Sequence, residues 1–199
     1  MVITSGKLAG NELVKQITAL SAAGVKAIHL REKNIPAGAL LLIAKTAISK
    51  IGKSDTKLII NERLDIAILA GANGIHSTSH GIENKYIRKF APGLLSGRSV
   101  HSVREAVNAE KDGYDYILFG PVYRTPAKVK YGKPQGLKKL GEVCSSVKIP
   151  VFAVGGINPQ KIKKCLAAGS YGVAAIREFA NTKNIKKAVK EFQKELGLL

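Results

Sequence analysis

The sequence predicts a compact (β/α)8 barrel, because eight short apolar segments alternate with stretches of helical spacing and each repeat is small. Strands joined by helices run parallel, and eight such units close into a barrel. The 199 residues allow about 25 residues for each of eight units. The chain is shorter than the roughly 250 residues typical of the fold. We therefore expect short loops and a single barrel domain spanning residues 1–199.

Eight candidate strands are short, apolar and rich in β-branched residues. They are Val2–Thr4, Val25–Arg31, Leu58–Asn61, Gly74–His76, Leu95–Val100, Tyr116–Gly120, Val151–Gly155 and Gly172–Ile176. Apolar residues three or four positions apart predict helices between and after them. Such residues are Leu13, Ile17 and Leu20 for the first helix, Leu40, Ile43, Ala47 and Ile51 for the second, and Ile185, Val189 and Phe192 for the last.

Glycines mark the ends of several predicted helices, where a residue with positive φ is favoured. They are Gly24, Gly52, Gly71, Gly113 and Gly169. Ser102 is predicted to cap the N-terminus of the helix after the fifth strand, with Glu105 at the capping-box spacing. The competing fold is an open, doubly wound sheet. No GxGxxG motif follows the first strand, so the usual fingerprint of that fold is missing and the barrel is favoured.

The strong positive charge is the most unusual feature of the composition. Thirty-two Lys and Arg against fourteen Asp and Glu give a net charge of +18. Such a charge suits nucleic acid, an anionic membrane surface or an anionic small molecule. The basic residues are spread over several helical segments, Trp is absent, and no basic stripe is interleaved with aromatic residues. We therefore expect a solvated, lysine-rich surface that attracts phosphate ligands, with neither nucleic acid nor membrane as a partner.

The segment types that direct proteins to membranes or secretion are not evident. No apolar run approaches the roughly 18 residues of a membrane span, and the first residues lack the pattern of a signal peptide. Cys144 and Cys165 have no CxxC spacing, which argues against a zinc site or a disulfide framework. A cytoplasmic location is the expectation.

Basic side chains cluster at the end of the second strand. Period-2 alternation places His29, Arg31 and Lys33 on one face, towards the barrel interior or its mouth. Chemistry in this fold lies where strands end and βα loops begin. A structural ion pair between Arg31 and Glu32 would account poorly for three basic groups aimed at one cavity. The three groups therefore indicate an anionic ligand.

Further polar candidates end the third and fifth strands. Asn61 ends the third, and alternation points Ser99 and His101 the same way at the end of the fifth. Histidine ordinarily titrates near neutrality, which suits general acid–base chemistry. His101 is therefore the candidate catalytic residue, although a lone histidine at a strand end is more often structural.

The last three strand ends predict a phosphate site. A long basic loop after the sixth strand includes Thr125 and Lys128, and long loops often close over ligands. Gly155 and Gly156 follow the seventh strand, where glycines let backbone N–H groups approach a phosphate. Ile176 and Arg177 end the eighth, and the loops after strands seven and eight are the habitual phosphate site of this fold.

Four of these segments together resemble the thiamine phosphate synthase/TenI family over nearly the whole chain. They are His29–Lys33 ("xLREK"), Ile60–Arg63 ("INDR"), Gly120–Thr125 ("GPVYxT") and Gly155–Ile157 ("GGI"). The resemblance implies a (β/α)8 barrel that handles the thiazole half of thiamine as its phosphate. It also implies a homo-oligomer, with a dimer as the expected state.

Departures from the family pattern distinguish its two activities. The synthase joins a pyrimidine pyrophosphate to thiazole phosphate, using Mg²⁺ held by two aspartates. Glu62 stands in place of one aspartate and Gly81 in place of the other. Because Mg²⁺ binds through only one or two carboxylates plus substrate phosphates, these changes disfavour a synthase. His29 replaces a glutamine and Ala127 a threonine, while Thr125 and Lys128 are retained.

Similarity to the TenI branch leads us to expect a thiazole tautomerase, an isomerase that moves a proton on a carboxythiazole phosphate. The stretch Gly97–Ser102 (GRSVHS) and His29 carry this similarity. The resemblance implies that the reaction needs no metal or other cofactor. It needs a phosphate anchor, a cation for the carboxylate and one acid–base group.

Each requirement of this expected mechanism has a candidate. The backbone N–H groups of Gly156, Ile176 and Arg177 would hold the phosphate, although Arg177 replaces a serine of the family pattern. Arg31 and Lys33 would hold the carboxylate with help from Asn61, Ser99 would orient the ligand, and His101 would move the proton. Two alternatives remain: a synthase that uses Glu62 for Mg²⁺, and a non-catalytic protein that binds thiazole or thiamine phosphates.

Overall fold

The computed structural model describes residues 1–125, 133–180 and 182–199 and contains the predicted barrel. Its strands are β1 Val2–Ile3, β2 Ala27–Leu30, β3 Lys57–Asn61, β4 Gly74–Ser77, β5 Leu95–Val100, β6 Tyr116–Phe119, β7 Val151–Val154 and β8 Gly172–Ala174. Its helices are α1 Gly10–Ala22, α2 Ala37–Ile51, α3 Leu64–Ala70, α4 Asn84–Phe90, α5 Val103–Lys111, α6 Gly136–Ser146, α7 Pro159–Ala167, α8 Arg177–Ala180 and α9 Ile185–Glu195.

All eight strands pair in parallel with their neighbours in sequence order. A bridge between Val2 and Ala175 joins the last strand segment to the first. There the Ile3 N–H donates to the Ala175 carbonyl at 3.0 Å, and the Ala175 N–H donates to the Met1 carbonyl at 3.2 Å. This closure confirms the barrel and excludes the open, doubly wound sheet.

The apolar side chains form two cores because successive residues of a strand face opposite sides. On β6, Ile117 and Phe119 pack between the barrel and the surrounding helices. Tyr116 and Leu118 point the other way, into a smaller cluster inside the barrel with Ile3. The barrel interior is therefore partly apolar, and the polar side chains discussed below pack against it.

Local signals read from the sequence are confirmed at several helix ends. The five glycines predicted to end helices all have positive φ, between 52° and 93°. The Ser102 hydroxyl accepts a hydrogen bond from the Glu105 N–H at 3.2 Å, as expected of a cap. No helix in the described part of the chain is long and apolar enough to cross a membrane.

The second strand is shorter than its apolar run predicts. It begins at Ala27 instead of Val25, and it ends at Leu30 instead of Arg31. At the far end, the Arg31 N–H donates to the Thr4 side-chain hydroxyl at 2.8 Å instead of to a backbone carbonyl of the neighbouring strand. Arg31 and Lys33 therefore lie in the loop after β2, where strand alternation no longer decides their direction.

Candidate active site at the carboxyl ends of the strands

Polar side chains gather at the carboxyl ends of the strands, as the fold predicts. The ends of β2 and β3 frame a cavity of about 290 Å³. The residues that line it are Glu32, Lys33, Ile35, Leu40, Asn61, Glu62 and Arg63. Both signs of charge are present, and burial raises the pKa of the Glu32 carboxyl above its ordinary value. The cavity can therefore hold a polar, charged ligand.

His29 is buried beneath the site and is hydrogen-bonded to Asn61. Its side chain is buried and its Nε2 lies 3.2 Å from Asn61 Oδ1, so the ring N–H donates to the amide oxygen. Burial lowers the pKa of His29 to about 3, so the ring is neutral at ordinary pH. Fixing the Asn61 oxygen on His29 turns the Asn61 amide group towards Glu62, 3.4 Å from its Oε2. His29 thus orients Asn61, a role that the ligand-binding prediction for His29 did not include.

Glu62 is held in an unusual backbone conformation. Its φ is 57°, and it is the one non-glycine residue of the described chain with a positive φ. The Thr78 hydroxyl donates to its Oε1 at 2.5 Å. A methyl group added at Gly81 would stand 3.0 Å from the same oxygen. Backbone strain of this kind persists where surrounding contacts fix it, often at functional sites.

The Ser99 side chain on β5 is hydrogen-bonded to a buried histidine. Its hydroxyl lies 2.8 Å from Nε2 of His76, and Nδ1 of the same ring lies 3.2 Å from the Tyr116 hydroxyl. Burial, together with the nearby His29, keeps the pKa of His76 well below its ordinary value. The rings of His29 and His76 are 4.7 Å apart, so two neutral imidazoles pack under the strand ends.

His101 lies just after β5 and is oriented by two contacts. Its Nδ1 is 2.6 Å from the Gly120 carbonyl, and its backbone N–H donates to Glu105 at 2.9 Å. A carbonyl oxygen only accepts hydrogen bonds, so Nδ1 carries a proton, and in the neutral ring Nε2 keeps its lone pair. This is the tautomer that a general base requires.

The predicted phosphate loop after β7 packs tightly against the loop after β6. Gly155 and Gly156 have φ of 97° and 66°, and a methyl group at Gly156 would stand 2.7 Å from the Arg124 carbonyl. The Lys161 ammonium donates to the Gly156 carbonyl at 2.8 Å and lies over the Tyr123 ring. Only glycine fits this backbone, and Lys161 adds positive charge beside it.

A contact between loops brings two other predicted residues together. The Arg177 guanidinium donates to the Thr125 hydroxyl at 3.3 Å, which connects the loop after β6 to the start of α8. Ile176 precedes Arg177, and its carbonyl accepts from the backbone of α8 at 3.0 Å. Thr125, Gly156 and Arg177 therefore surround one region. Lys128 lies outside the described residues.

The cations predicted to meet a carboxylate differ in exposure. Arg31 is half-buried, whereas Lys33 is exposed and lines the cavity beside Glu62. Across the described residues, no three His, Cys, Asp or Glu side chains converge as a metal site. A metal here would therefore need ligand atoms from a substrate as well.

Three contributors to this arrangement were not recognised from the sequence alone. His76 and Tyr116 are 40 positions apart, and Lys161 lies inside a lysine-rich helix that resembles the other basic helices. A histidine and a tyrosine at inward positions of two strands were the available signal for the first pair. For Lys161 the signal was its place in the first turn after the Gly155–Ile157 loop.

The fold and the site define a (β/α)8 barrel with charged and polar side chains gathered at the carboxyl ends of its strands. Comparison with known proteins identifies the family within this class of barrels. The family model described as "Thiamine monophosphate synthase" matches residues 1–179. The chain therefore belongs to the thiamine monophosphate synthase family, as the resemblance indicated.

Relatives with curated names agree with this assignment. The chain is 40% identical over 168 residues to a putative thiamine-phosphate synthase of Geobacter sulfurreducens, covering 84% of this chain and 79% of that one. It is 34% identical over 171 residues to the thiamine-phosphate synthase of Pyrococcus furiosus, covering 86% and 82%. The solved thiamine phosphate pyrophosphorylase from Pyrococcus furiosus superposes with a TM-score of 0.89 at 32% identity, covering 98% and 94%.

Proposed function

We propose that this protein is a thiamine phosphate synthase, a transferase that joins a pyrimidine pyrophosphate to thiazole phosphate and releases pyrophosphate. The names of its relatives favour this alternative over the tautomerase that the sequence led us to expect. The observation that carries the proposal is the placement of the Glu62 carboxylate. It is held by neutral donors, and no cation of the described residues pairs with it.

Magnesium, which the family resemblance implies, fits this carboxylate. Mg²⁺ is commonly bound by one or two carboxylates plus substrate phosphates. The family pattern places a second aspartate at the position of Gly81, but a side chain there would begin 3.0 Å from Glu62 Oε1. The longer Glu62 side chain thus occupies the space of the missing aspartate. Glu62 would hold the metal, whose charge would stabilise the departing pyrophosphate.

The remaining residues bind and orient the two substrates. Gly155 and Gly156 would present backbone N–H groups to the thiazole phosphate, with Lys161 nearby. Arg31 and Lys33 would face the anionic pyrophosphate, because both lie in the loop that borders the Glu62 cavity. Asn61, oriented by His29, would keep Glu62 in place.

A thiazole tautomerase is the second candidate, and one observation favours it. Hydrogen bonding of His101 Nδ1 to the Gly120 carbonyl leaves Nε2 free to take a proton. A positioned general base is typically worth about 10²–10⁴-fold in rate. This reaction would require neither Glu62 nor a metal.

Two assays on the full chain separate the candidates. The first supplies Mg²⁺ with both synthase substrates and measures thiamine phosphate; the second supplies the carboxythiazole phosphate in EDTA and measures its isomerisation. We expect thiamine phosphate to form with Mg²⁺, and Glu62→Gln to lower this activity at least tenfold and raise the Mg²⁺ concentration required. Glu83→Gln, at an exposed glutamate paired with Lys85, is the matched control and should leave activity unchanged.

Each remaining outcome has a definite meaning. Metal-independent isomerisation that is lost in His101→Ala, without thiamine phosphate formation, would replace the proposal with the tautomerase. Tight binding of thiamine phosphate without turnover in either assay would support the non-catalytic alternative.

A further inference from the structure

A row of hydrogen bonds connects Ser99 to the barrel interior, and the proposed function does not use it. The Tyr116 hydroxyl contacts Nδ1 of His76, and Nε2 of His76 contacts the Ser99 hydroxyl. We propose that Tyr116 and His76 are positioning residues that make the Ser99 hydroxyl a hydrogen-bond donor to the bound ligand. The inference rests on the proposed function only in taking the strand ends as the ligand site.

The direction of the first hydrogen bond follows from the surroundings of Tyr116. Its side chain is 7% exposed, and its hydroxyl has no acceptor within hydrogen-bond distance other than His76 in the described part of the chain. If Nδ1 donated to this oxygen, the phenol hydrogen would be buried without an acceptor. Buried polar groups are rarely left in that condition. Tyr116 therefore donates to Nδ1 of His76.

The direction of the second bond follows from the first. His76 is 1% exposed, and no carboxylate of the described residues bonds to its ring, so the ring is neutral. A neutral imidazole has one donor and one acceptor nitrogen. With Nδ1 accepting from Tyr116, Nε2 carries the hydrogen and donates to Ser99 Oγ at 2.8 Å.

The Ser99 hydrogen is then free for a ligand. Ser99 is half-buried near the carboxyl end of β5, two residues before His101. Its oxygen already accepts from His76, which leaves the hydroxyl hydrogen and one lone pair for the ligand side. A phosphate oxygen, a carboxylate oxygen or an unprotonated ring nitrogen satisfies this donor. A ligand group that only donates can use the remaining lone pair of Ser99 Oγ, but it leaves the hydroxyl hydrogen without an acceptor, so the row favours a hydrogen-bond acceptor at this subsite.

Gly97 makes room for the tyrosine on which the row depends. An added methyl group at Gly97 would overlap the Tyr116 ring, which lies across the neighbouring strand β5. His29 packs on the His76 ring at 4.7 Å and is itself bonded to Asn61. The Nε2–H of His29 donates to Asn61, so His29 is a second neutral imidazole whose tautomer is assigned independently of Tyr116 and Ser99. In a spectrum of the protein it serves as a reference for the tautomer of His76.

The first test is a spectroscopic measurement on the unmodified protein. Long-range ¹H–¹⁵N correlation spectra of the uniformly ¹⁵N-labelled full chain report which nitrogen of each neutral histidine carries hydrogen. We expect hydrogen on Nε2 of His76 and an unprotonated Nδ1. Hydrogen on Nδ1, or a charged ring near neutral pH, would overturn the proposal. This result does not depend on whether the protein makes thiamine phosphate.

The second test asks whether Tyr116 acts through Ser99. Calorimetric titration with thiamine phosphate measures binding to the wild type, Tyr116→Phe, Ser99→Ala and the double variant. Because a hydrogen bond contributes modestly, we expect Tyr116→Phe to weaken binding about two- to tenfold in the wild-type background and to have no further effect with Ser99→Ala. An equal loss in both backgrounds would overturn the proposal in favour of a structural role.

A matched variant accounts for the loss of a buried phenol. Tyr114 is also buried, and its hydroxyl donates to the Ile82 carbonyl at 3.0 Å, away from the His76 row. Tyr114→Phe should leave the His76 tautomer and thiamine phosphate binding unchanged. If Tyr116→Phe does not fold, the wild-type tautomer still decides the proposal.

Discussion

Adding one methyl group at Gly156 should damage both stability and phosphate binding. An alanine at the φ of 66° costs about 1–2 kcal/mol, because its Cβ crowds the backbone in the left-handed region. The new methyl would also stand 2.7 Å from the Arg124 carbonyl and 2.9 Å from Tyr123 Cβ. Overpacking of this kind costs about 1–3 kcal/mol. We therefore expect Gly156→Ala to lower the free energy of unfolding by about 2–5 kcal/mol.

Gly71 provides a control with nearly the same φ. Its φ is 69°, and a methyl group there meets no atom of the described chain within 4 Å. Gly71→Ala should therefore carry only the backbone cost of about 1–2 kcal/mol. Urea unfolding followed by circular dichroism measures both variants, provided that the slope m is unchanged.

The binding consequence separates the two glycines more sharply. To relieve the contacts, the loop around Gly156 must shift away from Tyr123 and Arg124, which moves the N–H groups proposed to hold the thiazole phosphate. We expect KM for thiazole phosphate to rise at least tenfold in Gly156→Ala and to stay unchanged in Gly71→Ala. Equal stability and equal KM in the two variants would show that the contacts at Gly156 are unimportant and refute this reasoning.

Two further predictions follow from buried or charged groups. Burial lowers the pKa of His29 to about 3, so between about pH 6.5 and pH 3 the unfolded chain binds a proton at this histidine and the folded chain does not. The contribution of the neutral ring to the free energy of unfolding is therefore complete above about pH 6.5 and is lost as pH falls towards 3. His29→Gln should therefore lose less stability than the wild type between pH 7 and pH 4, measured as urea midpoints. Lys161→Met should raise KM for thiazole phosphate about three- to tenfold by removing the contact with Gly156, whereas Lys164→Met, on the same helix, should not.

The barrel could be predicted from the sequence because its signals are local. Each strand is a short β-branched run, and glycines such as Gly24 and Gly169 end helices at positions that require positive φ. The end of β2 could not be predicted in this way. It depends on Thr4, which is distant in sequence and takes the Arg31 N–H that would otherwise continue the strand.

The candidate site could be predicted in part, for the same reason. The positions of His101, Ser99 and Asn61 near strand ends could be predicted, because parallel strands bring their carboxyl ends to one side. Their roles in binding or catalysis stay predictions. The sequence alone suggested that replacing an aspartate with Gly81 would weaken a metal site. Only the folded chain places Glu62 against that glycine, because the contact joins two loops and depends on the left-handed backbone of Glu62.

Closure of the barrel has a consequence for synthesis on the ribosome. The contact between Met1 and Val173 joins residues that are 172 positions apart. At about 5–20 residues per second, roughly 9–34 seconds pass between synthesis of the two partners, and β1 lacks its second neighbour for that time. Unpaired strand edges invite pairing with other chains. A first strand of only two residues offers such chains a very short template, so this edge of the nascent protein is protected while the barrel is open.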